Sequence, residues 1–150
     1  ATLIALEEDG VVRLGVVSAP ALGRRWHAER GAGAWSGDDR LRVSSVRRVE
    51  DAVLSFALEQ PVPSLAASAW HARGYGDFWS HMLVAEGAVD GAIDAVGVAV
   101  WDLAPLQVIV EEAGGRFSDF SGDSRIDGGS AVSSNGHLHE ALLSAVARNA

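Results

Sequence analysis

Two segments of the chain place an acid where a helix is expected to begin. An acid there can cap the helix or reach outward to a cation. The first segment is Trp101-Asp-Leu-Ala-Pro-Leu-Gln-Val-Ile-Val-Glu-Glu-Ala-Gly-Gly115. Its apolar spacing predicts a helix from Asp102 to Ala113, with Leu103, Leu106, Ile109, Val110 and Ala113 as the buried stripe and Gly114-Gly115 as the stop. Asp102 is expected at the N-cap, where a carboxylate satisfies free backbone N–H groups and is worth about 0.5–2 kcal/mol. Pro105 is expected in the first turn, where a missing N–H costs nothing. A second role is open to the same side chain, because one oxygen can serve the helix while the other binds a hard cation. Mg²⁺ takes oxygen ligands in octahedral geometry, commonly one or two carboxylates plus water and phosphate, so Asp102 would need partners from elsewhere. The second segment is Arg73-Gly-Tyr-Gly-Asp-Phe78. Gly76 lets the backbone approach a ligand, and Asp77 again precedes a helix. A carboxylate there could bind a primary amine or an imidazolium, or simply cap the turn.

Other polar residues form weaker patterns. His137 and His139 are two apart near the last helix and point in different directions, which disfavours a shared metal. His27, His71 and His81 are scattered, and nothing marks one as a general base. Asp119, Asp123 and Asp127 lack EF-hand spacing and read as a solvated turn. Glu111 and Glu112 read as helix-surface charges. Gly31-Ala-Gly33 is too short for a dinucleotide fingerprint, and neither a nucleophile elbow nor a Walker loop is present.

The elements that must position these residues follow from composition and periodicity. The 150 residues suit one domain, and 48% hydrophobic with 21% charged residues is a globular composition. A net charge of −8 disfavours nucleic acid or an anionic membrane as the main partner. The absence of cysteine excludes a disulfide scaffold, a thiol nucleophile and a Cys-built zinc site. No apolar run is long enough to span a bilayer and no signal peptide is evident, so a soluble cytoplasmic setting is expected. Thr2 to Leu6 and Val11 to Val17 read as strands joined at Asp9-Gly10, a strong hairpin signal. With Arg40 to Ser44, they predict an antiparallel meander over the first third. Strands are then expected at Ala52–Ala57, Ala72–Tyr75, Val89–Ala95, Arg116–Ser118 and Ser130–Ser134. Helices are expected at Ser64–Trp70, after Pro61 and Pro63, neither of which suits a helix interior, at Asp77–Glu86 and at Leu138–Val146. This order suits a layered α/β sandwich with a mixed sheet.

The residues also resemble a known family. Trp101-Asp102, Ala104, Ile109-Val110 and Glu112-Ala-Gly-Gly115 are similar to the C-terminal signature of the inositol-monophosphatase-like phosphatases. Gly15-Val-Val17, Arg30-Gly-Ala-Gly-Ala34, Val84-Ala-Glu-Gly-Ala-Val-Asp90 and Ala131 to Asn135 follow the same order. Ser18-Ala-Pro-Ala-Leu22 and Tyr75-Gly-Asp-Phe78 look most like the bacterial histidinol-phosphatase branch. The resemblance implies Mg²⁺-assisted hydrolysis of L-histidinol phosphate to L-histidinol and phosphate, by a homodimer of layered α/β subunits. It implies Asp102 as a metal ligand and Tyr75, Gly76 and Asp77 as the substrate's leaving-group side. A family glutamate that contacts substrate seven positions before the metal aspartate would fall on Ala95, with Asp94 beside it, and is not assigned. The family's upstream Glu-Glu segment and Asp-Pro-x-Asp-Gly-Thr loop have no match here. The resemblance therefore implies the C-terminal portion of a longer enzyme, residues 1–150, with the other metal-binding part upstream. Alternatives are a phosphatase for inositol or another sugar phosphate, and a non-catalytic binding or dimerisation module on the same scaffold.

Overall fold

The computed structural model describes residues 1–57, 63–94 and 97–148. It contains two five-stranded sheets. The first is the expected meander, β1 (Thr2–Glu8), β2 (Val11–Ala19), β3 (Arg24–Glu29), β4 (Gly33–Ser36) and β5 (Asp39–Arg40), antiparallel in sequence order. Asp9 and Gly10 turn the first hairpin with φ of 52° and 76°, the pair of positive values that matches the twist of the flanking strands. The strand expected over Arg40–Ser44 is shorter. It ends at Arg40, and beyond it the Val43 N–H bonds to the Ala113 carbonyl instead of a strand neighbour.

The second sheet is mixed. Its members are β6 (Val53–Ala57), β7 (His71–Arg73), β8 (Gly91–Asp94), β9 (Arg116–Ser118) and β10 (Ala131–Ser134), ordered β7-β6-β8-β10-β9. β7, β6 and β8 are parallel, and β10 runs against both β8 and β9. The parallel strands are joined through α1 (Pro63–Ser68) and α2 (Phe78–Ala85), as parallel pairing requires. α3 (Val100–Glu112) follows β8, and α4 (His139–Ala147) closes the described chain. Pro61 lies outside the described residues.

Strand alternation divides the interior in two. Ala92 and Ala131 turn toward α2, α3 and the first sheet, whereas Leu54, Ile93 and Val132 turn toward Leu138 and Leu142 at α4. α3 lies between the sheets, packed on β1 to β4 on one side and on β9 and β10 on the other. Residues Leu103 to Val110 are accordingly all buried. The burial is wider than the expected stripe, because a helix covered on two sides needs apolar residues all round. Gly15 permits the close approach: a Cβ there would fall 2.7 Å from the Pro105 carbonyl oxygen and 2.6 Å from Val108 Cγ1.

α3 starts two residues earlier than expected. Ala99 is the N-cap, and Asp102 sits inside the first turn with its own N–H bonded to the Ala99 carbonyl. Asp102 is therefore not the cap. Pro105 falls in the second turn rather than the first, where it deletes one helical hydrogen bond. Glu111 and Glu112 are not free surface charges either. Glu112 accepts the N–H groups of Gly31 and Gly33, each at 2.9 Å, while Glu111 pairs with Arg30 and accepts from Ser124 Oγ at 3.1 Å. They latch the β3–β4 turn to the end of α3. Asp119 is buried rather than solvated, accepting the N–H groups of Ser121 and Asp123.

His139 ties the second sheet to α4. It is fully buried, with Nε2 2.9 Å from Ser118 Oγ and Nδ1 2.9 Å from Ser134 Oγ. Burial foremost, and the Arg116 charge after it, lower its pKa while Glu140 raises it, leaving it at about 4 against the ordinary 6.5. The unfolded chain thus binds a proton near pH 6.5 that the folded chain refuses until about pH 4. Stability contributed here is complete above pH 6.5 and is lost as pH falls toward 4, by about 3 kcal/mol. Urea unfolding at pH 7 and pH 4 is expected to show that extra loss in the wild type and not in His139→Gln; equal losses would contradict it.

Candidate active site

Parallel strands bring their carboxyl ends to one edge, and in α/β sheets that edge is where ligands bind. Here the edge is formed by Ala57, Arg73 and Asp94, with Ala57 and Asp94 in direct register. The segment leaving β7 is Gly74-Tyr-Gly-Asp77, and the segment leaving β8 runs into α3 and Asp102. α2 and α3 both start at this edge and pack against each other. The fold therefore brings Tyr75, Gly76, Asp77 and Asp102 to the same end of the sheet, at the starts of adjacent helices.

The Tyr75 segment is built into the sheet. Ser55 Oγ on β6 accepts the Tyr75 N–H at 3.2 Å and donates to the Tyr75 carbonyl at 3.3 Å. The Tyr75 ring meets Trp79 edge-on, centroids 5.6 Å apart. Among the described residues, and apart from its chain neighbours, a Cβ on Gly76 would meet nothing within 4 Å. Asp77 is the N-cap of α2, but its carboxylate makes no capping hydrogen bond. Its backbone, at φ 63° and ψ −155°, occupies a region populated almost only by glycine. An exposed acid held in a strained conformation, without serving its own helix, is free to serve a ligand.

Asp102 is half-buried between the exposed Trp101 and the buried Leu103. Among the described residues, no group of three or more His, Asp or Glu side chains could hold a metal ion. The hard carboxylate oxygen of Asp102 suits Mg²⁺ in kind, and completing the shell calls for oxygen donors from outside these residues. A separate cleft of about 450 Å³ lies between the β1–β2 hairpin, Arg30, Gln107, Glu111 and the 124–127 turn; neither Asp77 nor Asp102 lines it. Its mixed lining of opposed charges shows no convergent chemistry, so the strand edge is the stronger candidate.

Two residues at this edge are named in the sequence reading without an assigned role. Asp94 ends β8 on the face of Ala92, toward α2, and His81 of α2 lies against it with Nε2 3.6 Å from Asp94 Oδ2. Strand alternation through Ala92 could have flagged Asp94; His81 needed the packing. Ala95 lies outside the described residues.

Comparison with known proteins adds the family. The inositol monophosphatase family model matches residues 1–150. The chain belongs to the inositol monophosphatase family. Among its relatives, the histidinol-phosphatase of Mycobacterium tuberculosis is 50% identical and that of Streptomyces coelicolor 42%, each covering 95% of the chain and 60% of the relative. An inositol-1-monophosphatase of Mesorhizobium japonicum is 32% identical over 97% of the chain and 59% of its own length. The inositol monophosphatase fold is matched in solved structures: the Bartonella henselae extragenic suppressor protein suhB superposes with a TM-score of 0.88 at 32% identity, covering 97% of this chain and 63% of its own. The Thermotoga maritima IMPase gives 0.87 at 32% identity, covering 96% and 59%. The chain thus spans about 60% of the length of the curated family members it matches.

The strain at Asp77 gives a direct expectation. Asp77→Gly relieves a conformation costing about 1–3 kcal/mol and should raise the denaturation midpoint, whereas Asp77→Ala should not. Equal midpoints for Gly and Ala would show that the backbone there is not strained.

Proposed function

We propose that this chain forms the substrate-binding wall of a Mg²⁺-dependent phosphomonoesterase that hydrolyses L-histidinol phosphate to L-histidinol and phosphate. The observation that carries the reading is the shared position of Asp77 and Asp102 at the carboxyl edge of the parallel strands. The histidinol-phosphatase relatives support the substrate. Family resemblance also supports a homodimer and a cytoplasmic role in histidine biosynthesis.

The reaction adds water to phosphorus, breaks the ester P–O bond and returns a proton to the departing alkoxide. Bound Mg²⁺ supplies charge neutralisation and activation of water. Asp102 would hold the ion, jointly with donors upstream. Its place in the first turn of a helix fixed on two sides keeps that oxygen from drifting, which matters where small misplacements cost rate. The 74–77 segment, pinned to Ser55, fixes the leaving-group side. Asp77 would pair with the cationic end of L-histidinol phosphate, a group that inositol phosphate lacks, so charge pairing distinguishes the two. Tyr75 and Trp79 would wall that pocket with aromatic surface.

Two outcomes test this in the natural full-length protein, by phosphate release. Asp102→Asn is expected to lower kcat by about 100-fold or more with the fold intact, as loss of a charged metal ligand should; near-normal turnover at ordinary Mg²⁺ would remove Asp102 from the metal shell. Asp77→Asn is expected to cost about tenfold more in kcat/KM on L-histidinol phosphate than on inositol 1-phosphate. Equal costs would refute charge reading by Asp77, and a wild type that prefers inositol 1-phosphate would favour the sugar-phosphate alternative.

A further inference from the structure

Asn135 is the one asparagine in the chain that a glycine follows. In that pair the backbone nitrogen of the glycine can reach the asparagine side-chain carbonyl carbon, because no Cβ stands in the way. The fold occupies every atom that such a reaction needs. Asn135 lies between β10 and α4 and is only 4% exposed. Its Nδ2 donates to the Val46 carbonyl at 2.7 Å and to Ser44 Oγ at 2.9 Å, while Oδ1 accepts the Leu138 N–H at 3.2 Å. A carbonyl at one end and an N–H at the other fix which way round the amide sits. The Gly136 N–H is engaged too, donating to Ser134 Oγ at 3.1 Å.

Ser44 makes the amide hard to replace. Its hydroxyl has one proton, which goes to the buried Asp90 carboxylate, so toward residue 135 it can only accept. The Val46 carbonyl likewise can only accept. An amide NH2 meets both needs, and a carboxylate meets neither. A carboxylate at 135 would also set a second negative charge beside Asp90, with a single hydroxyl between them. Residues 41–52 carry the chain from the first sheet to the second, so these bonds hold the connection between the two. We propose that Asn135-Gly136 is a modification site that acts as a one-way fuse on the folded state. The native hydrogen bonds suppress deamidation, and a chain that opens and deamidates there no longer closes the junction. The step is intramolecular. The Gly136 backbone nitrogen attacks Asn135 Cγ, a C–N bond forms as the Cγ–Nδ2 bond breaks, and Nδ2 leaves as ammonia with the Gly136 amide proton. Water then opens the resulting succinimide at either carbonyl, leaving aspartate or isoaspartate at 135. Isoaspartate also lengthens the backbone by one methylene ahead of Gly136 and Leu138. This goes beyond the phosphatase reading and does not depend on it.

The test uses the natural full-length protein, aged in mildly alkaline buffer with and without urea. Mass spectrometry of the peptide that contains residue 135 reads both the deamidation and the isoaspartate. Modification is expected to be about a hundredfold slower without urea, as for a site reached only through opening. Similar rates in both solutions overturn the protection. Refolding of the urea-aged protein by dilution supplies the second arm. Unmodified Asn135 is expected to be enriched about tenfold or more in the refolded pool, since the modified chain leaves buried acceptors without donors. Modified chains that refold as fully as unmodified ones overturn the fuse. Asn135→Asp makes one product directly, and Asn135→Ala removes the same donors without adding a charge. The Asp variant is expected to have the lower denaturation midpoint of the two. An Asp midpoint equal to or above that of Ala overturns the clash with Asp90, and with it the proposal; if the Asp variant does not fold, the refolding arm decides.

Discussion

The structure depends on α3 being held between two sheets. Gly15 of β2 comes against Pro105 and Val108 so closely that no side chain fits between, while the opposite face of α3 meets β9 and β10. A helix so placed has no solvent face along its middle, and eight consecutive residues are buried there. Gln107 is the polar exception there, donating to Ser124 Oγ at 3.2 Å, and the charged side chains of α3 lie toward its ends. At the carboxyl end, Glu111 and Glu112 latch the β3–β4 turn. At the amino end, Asp102 sits half-buried in the first turn. The same clamp holds the first turn of α3, and Asp102 within it, against both sheets, as the proposed role of that side chain requires.

The parallel strands impose the rest. Because β6, β7 and β8 run the same way, every segment leaving them arrives at one edge, and residues far apart in sequence meet there. The small side chains of Ser55, Ala92, Ala131 and Ser133 line the face beneath α2 and α3, so the helices sit low on the sheet and polar groups beneath them must be paired. His81 with Ser133 and His139 with Ser118 and Ser134 show the same solution on opposite faces of one sheet. His139 is satisfied at both nitrogens by hydroxyls, whereas His81 keeps one nitrogen turned to a carboxylate at the ligand edge.

Much of this was legible in the sequence, for physical reasons. The Asp9-Gly10 hairpin, the Gly114-Gly115 stop and the alternation of strands and helices after Ala52 are local signals, and the structure follows them. The family signature around Trp101-Asp102 located the fold, and the family match bears it out. Local reasoning misplaced what tertiary packing decides. It took Asp102 for the cap because Asp is a good cap, whereas the chain entering from β8 is already helical at Val100. It took Glu111 and Glu112 for solvated charges because nothing nearby in sequence announces the glycine N–H groups of the β3–β4 turn. The strain at Asp77 was equally hidden, since Gly-Asp normally places the glycine, not the acid, at positive φ.

The most direct measurement is a crystal structure of the natural full-length protein with Mg²⁺ and inorganic phosphate. The account predicts an Asp102 carboxylate oxygen within about 2.0–2.1 Å of a bound ion, with phosphate at the carboxyl edge of β6, β7 and β8. An ion and phosphate bound elsewhere, with the Asp102 side chain turned away from both, would contradict it.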